Sequence, residues 1–369
     1  MAKIKILHAA DLHLDSPFQA LSSAKAAIRR GEQRELLGRL AELATMEQVD
    51  VMLLSGDLLD SGSPYTQTAQ ELIRHLGSIS VPVFVAPGNH DFYSPRSPYA
   101  RYKFPDNVYI FKNNYIEKVG LSGMNVYGAA FTDTESQGML CGFRAPREDG
   151  KVNLMCIHGE LCNGESRYNP ITENELAASG MDYVALGHVH KASGLKKAGS
   201  VYYSWPGCTE GRGFDECGNK YVNIVELEDG RCELRQVSIA SRRYEILRLD
   251  LSATDALTAV HNQLPDDTVG DIYRIIFTGE TDAIPDLRRL HSNLSELFFE
   301  LQLRDETRLR RSLWENAGED TLRGLFLSKL KERYDASSDA AERFKIEQAA
   351  RWGLAAIDNL EEPVCHGDK

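Results

Sequence analysis

Three things are scarce in this chain. Cysteine is the first: seven residues in 369, an odd number with no Cys-x-x-Cys pair, which argues against both a disulfide framework and a thiolate zinc site. Long apolar runs are the second. No stretch approaches the length of a membrane span, and Met1 leads into a strand-like run without a signal-peptide layout, so the expectation is a cytoplasmic protein with no membrane partner. Positive charge is the third, with 42 Lys and Arg against 54 Asp and Glu and a formal net charge of -12. Phosphate contacts supply most of the affinity for duplex DNA, so binding DNA would require a local basic patch, bound metal or a partner subunit.

What is present is ordinary in bulk: 42% hydrophobic and 26% charged residues, in a chain longer than one core usually supports. One large domain with smaller appended ones is expected. The first half alternates strand and helix, with helical spacing at 21–48 and 66–76, which implies parallel pairing through right-handed crossovers. Two later runs, 221–227 and 232–239, face each other across Glu228-Asp229-Gly230, a hairpin signal that would complete the sheet layer. Past Arg243 a strand at 246–251, a helix at 256–264 and a strand at 272–278 suggest a small αβ module. Beyond Pro285 the chain reads as wholly helical, with Leu287, Leu290, Leu294, Leu297, Phe298 and Leu301 on one apolar face and Leu322, Leu325, Phe326 and Leu330 on another.

Five short β-type runs each end in residues able to bind a divalent metal. Residues 4–10 lead into Asp11 and His13, 49–55 into Asp57, 81–86 into Asn89 and His90, 151–157 into His158, and 182–186 into His188 and His190. Runs this apolar are buried, so their polar ends gather at one edge of the sheet; carboxylate, imidazole and amide groups meeting in one crevice are what two-metal phosphoester cleavage needs. Singly, each motif has a bland reading. Asp-x-His puts two side chains on one side of a strand often by chance, Gly56-Asp57 with Asp60 is also a turn, and a lone His158 is more often packed than ligating. Gly88-Asn89-His90-Asp91 carries more, because an acid after His offers an oriented imidazole, and Gly187-His188-Val189-His190 sets two imidazoles at one strand exit. Five such ends in succession are hard to explain as structure alone.

The series Asp-x-His, Gly-Asp-x-x-Asp, Gly-Asn-His-Asp, a strand-end His and Gly-His-x-His resembles the calcineurin-like metallophosphoesterase superfamily over residues 7–190. Within it, His8-Ala-Ala-Asp11-Leu-His13-Leu-Asp15-Ser-Pro-Phe18 and the segment from Trp205 to Glu216 are similar to the bacterial YhaO and SbcD branch of DNA-repair nucleases. The resemblance implies a four-layer αββα sandwich of two stacked mixed sheets, whereas alternating strands and helices alone also describe a single doubly wound sheet. It implies one ion on Asp11, His13 and His190, a second on Asn89, His158 and His188, and Asp57 between them. Oxygen and imidazole donors suit Mn²⁺ or related divalent ions (Mg²⁺, Fe²⁺ or Zn²⁺), and the absence of thiolates fits a hard substrate such as phosphate. It implies further that His90 is the catalytic imidazole, with Asp91 as its orienting partner. Asp60 and Asp15 are left as local hydrogen-bonding residues and His8 as a packed histidine; His75, His261, His291 and His366 have no motif around them. Cys156 and Cys162, near the cluster, read as buried small hydrophobes.

Directly after His90, Tyr93, Tyr99 and Tyr102 interleave with Arg96, Arg101 and Lys103, a pattern that grips single-stranded nucleic acid and equally describes a solvated loop. Lys191, Lys196, Lys197 and Arg212 are further candidates for phosphate contact. The expected organisation is a nuclease domain at 1–243, a cap at 244–283 and a helical region at 284–369. By resemblance, that region docks a coiled-coil ABC-type ATPase; equally, it packs on its own domain or a second copy of the chain. Hydrolysis of DNA is one functional expectation. A small-molecule or phosphoprotein esterase using the same metals is another, and a non-enzymatic regulator of an ATPase a third, disfavoured because every expected ligand is present.

Overall fold

The computed structural model describes residues 3–309 and 313–357, so His366 lies outside it. The chain falls into two compact units. The first runs from the described start to Glu245 and takes in Gly270–Ile272.

Alternation along the strands builds the first unit. In Ile4–Ala9, Ile4 and Ile6 enter one apolar cluster while Leu7 and Ala9 enter another. Val51–Leu54 splits in the same way, Val51 and Leu53 to the first cluster and Met52 and Leu54 to the second. In Val152–His158 and Tyr183–Gly187, Leu154, Cys156, Tyr183 and Ala185 join that first cluster, and Met155, Ile157, Val184 and Leu186 face a third. Strands buried on both faces demand cover on both. Two six-stranded mixed sheets therefore stack across a shared core.

The first sheet runs, in spatial order, Arg231–Ser238, Tyr221–Glu228, Ile4–Ala9, Val51–Leu54, Val83–Val85 and Val108–Ile110. Its last four strands are parallel, with Ile6 opposite Val51, and the expected hairpin joins antiparallel, with Ile4 opposite Leu227. The second runs Lys196–Ala198, Val201–Ser204, Tyr183–Gly187, Val152–His158, Met124–Gly128 and Glu117–Gly120. Helices Ser23–Met46 and Thr66–Gly77 cover the first sheet through Leu36, Leu37, Leu40, Leu72 and Leu76. The outer face of the second is covered by the short helix Glu173–Ala178 and by Phe131, Met139 and Leu140 from an irregular stretch. This is the expected αββα layering, with a thinner fourth layer.

The second unit comprises Ile246–Val269 and the described residues from Tyr273 on. Strands Tyr244–Asp250, Ile272–Thr278 and Glu300–Asp305 form a three-stranded sheet, and Leu249, Ile275 and Phe277 share a core with Val260, Leu290, Leu294 and Leu301. The expected boundary between 283 and 284 thus passes through a single core. The region past Pro285 is not wholly helical. Helix Leu287–Leu294 gives way after a short 3-10 turn to strand Glu300–Asp305, because Leu301 and Leu303 follow the two-residue period of a strand and pack against this sheet. Two further helices, Leu322–Ala336 and Ala340–Ile357, follow. Leu322 and Leu325, two of the four residues on the expected apolar face, are 74% and 60% exposed, whereas Leu327 is buried and Phe326 lies against Gly353. Among the described residues no helix is long and apolar enough to cross a membrane.

Leu154, fully buried between the sheets, measures how much the stack depends on its shared core. Leu154→Ala is expected to lower the unfolding free energy by about 2–5 kcal/mol in urea titration; a loss under about 1 kcal/mol would mean the sheets do not close over that position.

Candidate metal centre

Three strands of one sheet and two of the other deliver their terminal loops to one place. The loops after Ile4–Ala9 and Val51–Leu54 stay paired beyond the strands: Asp11 N donates to Gly56 O at 3.0 Å and His13 N to Asp57 O at 2.9 Å. To turn their side chains inward, Asp11, His13, Asp57 and His188 adopt left-handed backbone, with φ of 52°, 43°, 52° and 89°. Such strain at non-glycine residues persists only where surrounding structure imposes it. Gly56 lets the sheets come close, since a Cβ there would lie 2.3 Å from His158 Nδ1.

The side chains then meet. His13 Nε2 lies 3.1 Å from His190 Nε2 and 3.7 Å from Asp57 Oδ2. His158 Nε2 lies 3.0 Å from Asn89 Oδ1 and 3.4 Å from Asp57 Oδ2, and His188 Nδ1 is 3.3 Å from the same Asn89 oxygen. Both Asp11 oxygens accept from His188 N at 3.1 Å. Donor atoms of Asp11, His13 and His190, of His13, Asp57 and His90, and of Asp11, Asp57 and His158 form three groups, each within 4.8 Å and able to hold a metal ion.

Burial governs the charges. It pushes Asp11 up to about 6, against the pull of His158 and His190. It resists ionisation of Asp57 too, but the imidazoles of His158, His13 and His90 hold that carboxyl below the usual range. Burial depresses His13 to about 4, and burial with the charge of His158 depresses His188 to about 4. His158 is carried the other way, to about 9, because Asp57 outweighs burial.

Two buried braces hold the loops. The Trp205 indole N–H donates to the carbonyls of Gly159 and Gly187, at 3.2 and 3.1 Å, pinning the residues beside His158 and His188. Asp91 is the second. Sequence assigned it to orienting His90, and the structure corrects this: its carboxylate accepts from the amides of Leu58, Leu59 and Gly88 at 2.8, 3.1 and 2.8 Å and from the Tyr99 hydroxyl at 2.5 Å. Because its side chain turns inward to these four donors, the exposed His90 ring pairs through Nδ1 with the Asp60 carbonyl instead, at 3.1 Å.

The profile of the calcineurin-like phosphoesterase family matches residues 4–192, just over half of the 369. The chain belongs to that family. It is 27% identical to the uncharacterized metallophosphoesterase YhaO of Bacillus subtilis, over 72% of this chain and 68% of that one. It is 28% identical to the DNA double-strand break repair protein Mre11 of Saccharolobus solfataricus, over 51% and 49%, and 26% identical to the SbcD subunit of the nuclease SbcCD of Escherichia coli K12, over 62% and 66%. The chain therefore spans about half of Mre11 and just under two thirds of SbcD.

A divalent ion of the kind used by calcineurin-like phosphoesterases fits the donor set. The Ser55 carbonyl can only accept, so His158 Nδ1, at 2.9 Å, must carry a proton toward it. Nε2 then faces the Asn89 and Asp57 oxygens at 3.0 and 3.4 Å, where the raised imidazolium places its second proton and where a cation would take that proton's position. His13 and His190 likewise turn their outer nitrogens to carboxylates, His13 Nδ1 being 3.3 Å from Asp60 and His190 Nδ1 2.7 Å from Glu216, which sets two Nε2 atoms face to face. At both places a cation would replace a single proton shared between ligand-type atoms.

Other expected residues fall less centrally. Asp15 accepts from Tyr65 N and the Thr68 hydroxyl, and His8 is buried against Tyr183 and Leu186. Cys156 is buried and Cys162 partly so. Arg96, Arg101, Lys103, Lys191 and Lys196 are exposed, while Lys197 lies over the Tyr202 ring. Tyr93 packs against both cores beside the first sheet, and Tyr99 is buried on Asp91, so neither ring is presented for stacking as the interleaved pattern suggested. Arg212, expected to meet phosphate, spends its guanidinium on Glu216 and Asp60 at 2.8 and 3.2 Å. The role of Glu216 was missed; the residue closes the Trp205–Glu216 segment that carries part of the resemblance, but nothing in that segment pointed to its bond with His190.

Tyr99→Phe removes one donor from a buried carboxylate. The expected cost is about 1.5–3 kcal/mol in denaturant unfolding; an unchanged stability would show that Asp91 braces these loops without it.

Proposed function

We propose that this phosphoesterase is a metal-dependent DNA nuclease of the repair branch, cutting phosphodiester bonds at a two-ion centre, with Mn²⁺ as the ion and the cytoplasm as its place of action. Asp11, His13 and His190 hold one ion, Asn89, His158 and His188 the other, and Asp57 lies between them. The observation that carries this reading is the convergence of His13, His190, His158, Asn89 and Asp57 from five strand ends on two sheets, with donor atoms 3.0–3.7 Å apart. DNA as the substrate class is supported by the repair protein Mre11 and the nuclease SbcCD, through its SbcD chain, among the relatives. Exposed Arg96, Arg101, Lys103 and Lys191 offer local positive charge to phosphates. A coiled-coil ABC-type ATPase, engaged through the part of the chain past residue 284 that carries helices Leu322–Ala336 and Ala340–Ile357, is the proposed partner.

When bound, divalent ions supply activation of water at neutral pH and neutralise charge on phosphate oxygens. The chain's residues do the rest. Asp57, ionised among three imidazoles, turns Oδ2 toward both sides of the centre, 3.7 Å from His13 Nε2 and 3.4 Å from His158 Nε2, while Oδ1 accepts from the His90 amide at 2.9 Å. His90, at the exposed rim, holds Nδ1–H on the Asp60 carbonyl at 3.1 Å and leaves Nε2 free; in its imidazolium form Nε2–H gives its proton to the leaving alkoxide, and the ring is left neutral with Nδ1–H still on Asp60. Asp91, Tyr99 and Trp205 prevent the loops from relaxing away from this geometry.

A phosphodiesterase or phosphatase acting on a smaller or protein substrate is the second reading, favoured by the net charge of -12. Labelled duplex and single-stranded DNA, a cyclic nucleotide and a generic phosphodiester, each with Mn²⁺ or Mg²⁺ and with and without the ATPase, separate the two. Cleavage of DNA is expected; efficient cleavage of the cyclic nucleotide alone would replace the nuclease with the esterase. His90→Ala is expected to slow turnover about 10²–10⁴-fold while elemental analysis still finds bound metal. Loss of both ions would contradict the role given to His90.

A further inference from the structure

The two proposed ion positions are built alike in their inner atoms and differently behind them. On one side, His190 Nδ1 is hydrogen-bonded to Glu216 at 2.7 Å, and His13 Nδ1 lies 3.3 Å from Asp60 Oδ1, an ion-pair approach without hydrogen-bond geometry. Arg212 ties these two acids together, reaching Asp60 Oδ1 at 3.2 Å and Glu216 Oε1 at 2.8 Å, while its backbone N–H donates to Glu216 Oε2 at 2.9 Å. The result is a closed ring through Arg212, Glu216, His190, His13 and Asp60, backed by two negative charges against one positive. Glu216 is 8% exposed, and neither it nor Arg212 lies within residues 4–192 that the family profile matches.

On the other side the backing is neutral. His158 Nδ1 rests on the Ser55 carbonyl at 2.9 Å, and Glu160 Oε2 stands 4.0 Å from His188 Nε2, beyond a hydrogen bond. The oxygen donor is also unequal, a buried carboxylate at Asp11 against a neutral amide at Asn89. A carboxylate behind an imidazole fixes its ring and raises its basicity, and losing one costs about 10–100-fold in metal affinity.

We infer that Glu216 and Asp60, clamped by Arg212, make the position of Asp11, His13 and His190 the tight one, filled first, and leave the position of Asn89, His158 and His188 the weaker, exchanging one. This rests on the two-ion reading above. Glu216, Asp60 and Arg212 are positioning residues, and Arg212 acts on the ion rather than on a substrate phosphate.

Titration of the metal-free full chain with MnCl₂, followed by calorimetry and by the paramagnetic resonance of free Mn²⁺, tests it. The wild-type chain should take up two ions in two steps separated by about tenfold or more. Glu216→Gln should weaken the first step by about 10–100-fold and leave the second in place; Asp60→Asn should do the same and carries the test if Glu216→Gln does not fold by circular dichroism. Asn89→Ala should remove the second step and spare the first. Two equal steps in the wild-type chain, or acid variants that weaken both steps alike or neither, would overturn the ranking. No uptake of Mn²⁺ at all would overturn the two-ion reading beneath it. Since neither DNA nor phosphoester is present, a failed cleavage assay would leave these isotherms as they are.

Discussion

Asp11, His13, Asp57 and His158 are at most 1% exposed, and the whole site depends on the difficulty of keeping such groups there. Buried carboxylates and imidazoles are tolerated only when something of opposite charge or matching hydrogen-bond sense faces them. Here each group leans on another: Asp57 is ionised because imidazoles surround it, and His158 is raised because Asp57 is ionised. The amide oxygen of Asn89 cannot supply a proton to either imidazole it faces. A cluster with this balance of acceptors is coherent as a receptor for cations and awkward as a mere structural core.

Everything around the cluster works to prevent its relaxation. Left-handed backbone at Asp11, His13 and Asp57 is held by the continued pairing of the loops after the first two strands, and at His188 by its amide on the Asp11 carboxylate. Gly56 removes the side chain that would push His158 away, and Trp205 and Asp91 tie loops from different strands to each other through buried hydrogen bonds. Two stacked sheets, each buried on both faces, give those braces a rigid base. Function as a phosphoesterase follows from donors that arrive already in place.

The strand ends were legible because each combines an apolar run with a motif of few residues, and burial forces such ends to one edge. The sandwich itself came through resemblance, since alternation of strand and helix also suits one sheet. Beyond Pro285 the reading failed where Leu301 and Leu303 left the helical period for a strand's, a change two residues long that a helical template absorbs unnoticed. Asp91 was misplaced because neighbours in sequence at a turn point apart in space, and Tyr99 because alternation with cations says nothing of burial. The tasks of Glu216 and Arg212 were invisible for a different reason: the Trp205–Glu216 segment stood out as a resemblance, but the contacts of these two residues are set by tertiary approach to His190 and Asp60.

The central claim is that this buried set of side chains holds a pair of divalent ions. Crystals grown with MnCl₂ and measured at the manganese absorption edge test it most directly. Two anomalous peaks are predicted, one touching Asp11, His13 and His190, the other Asn89, His158 and His188, with Asp57 reaching both. A map with no peak among these residues, in a chain whose loops keep the geometry described above, would contradict it.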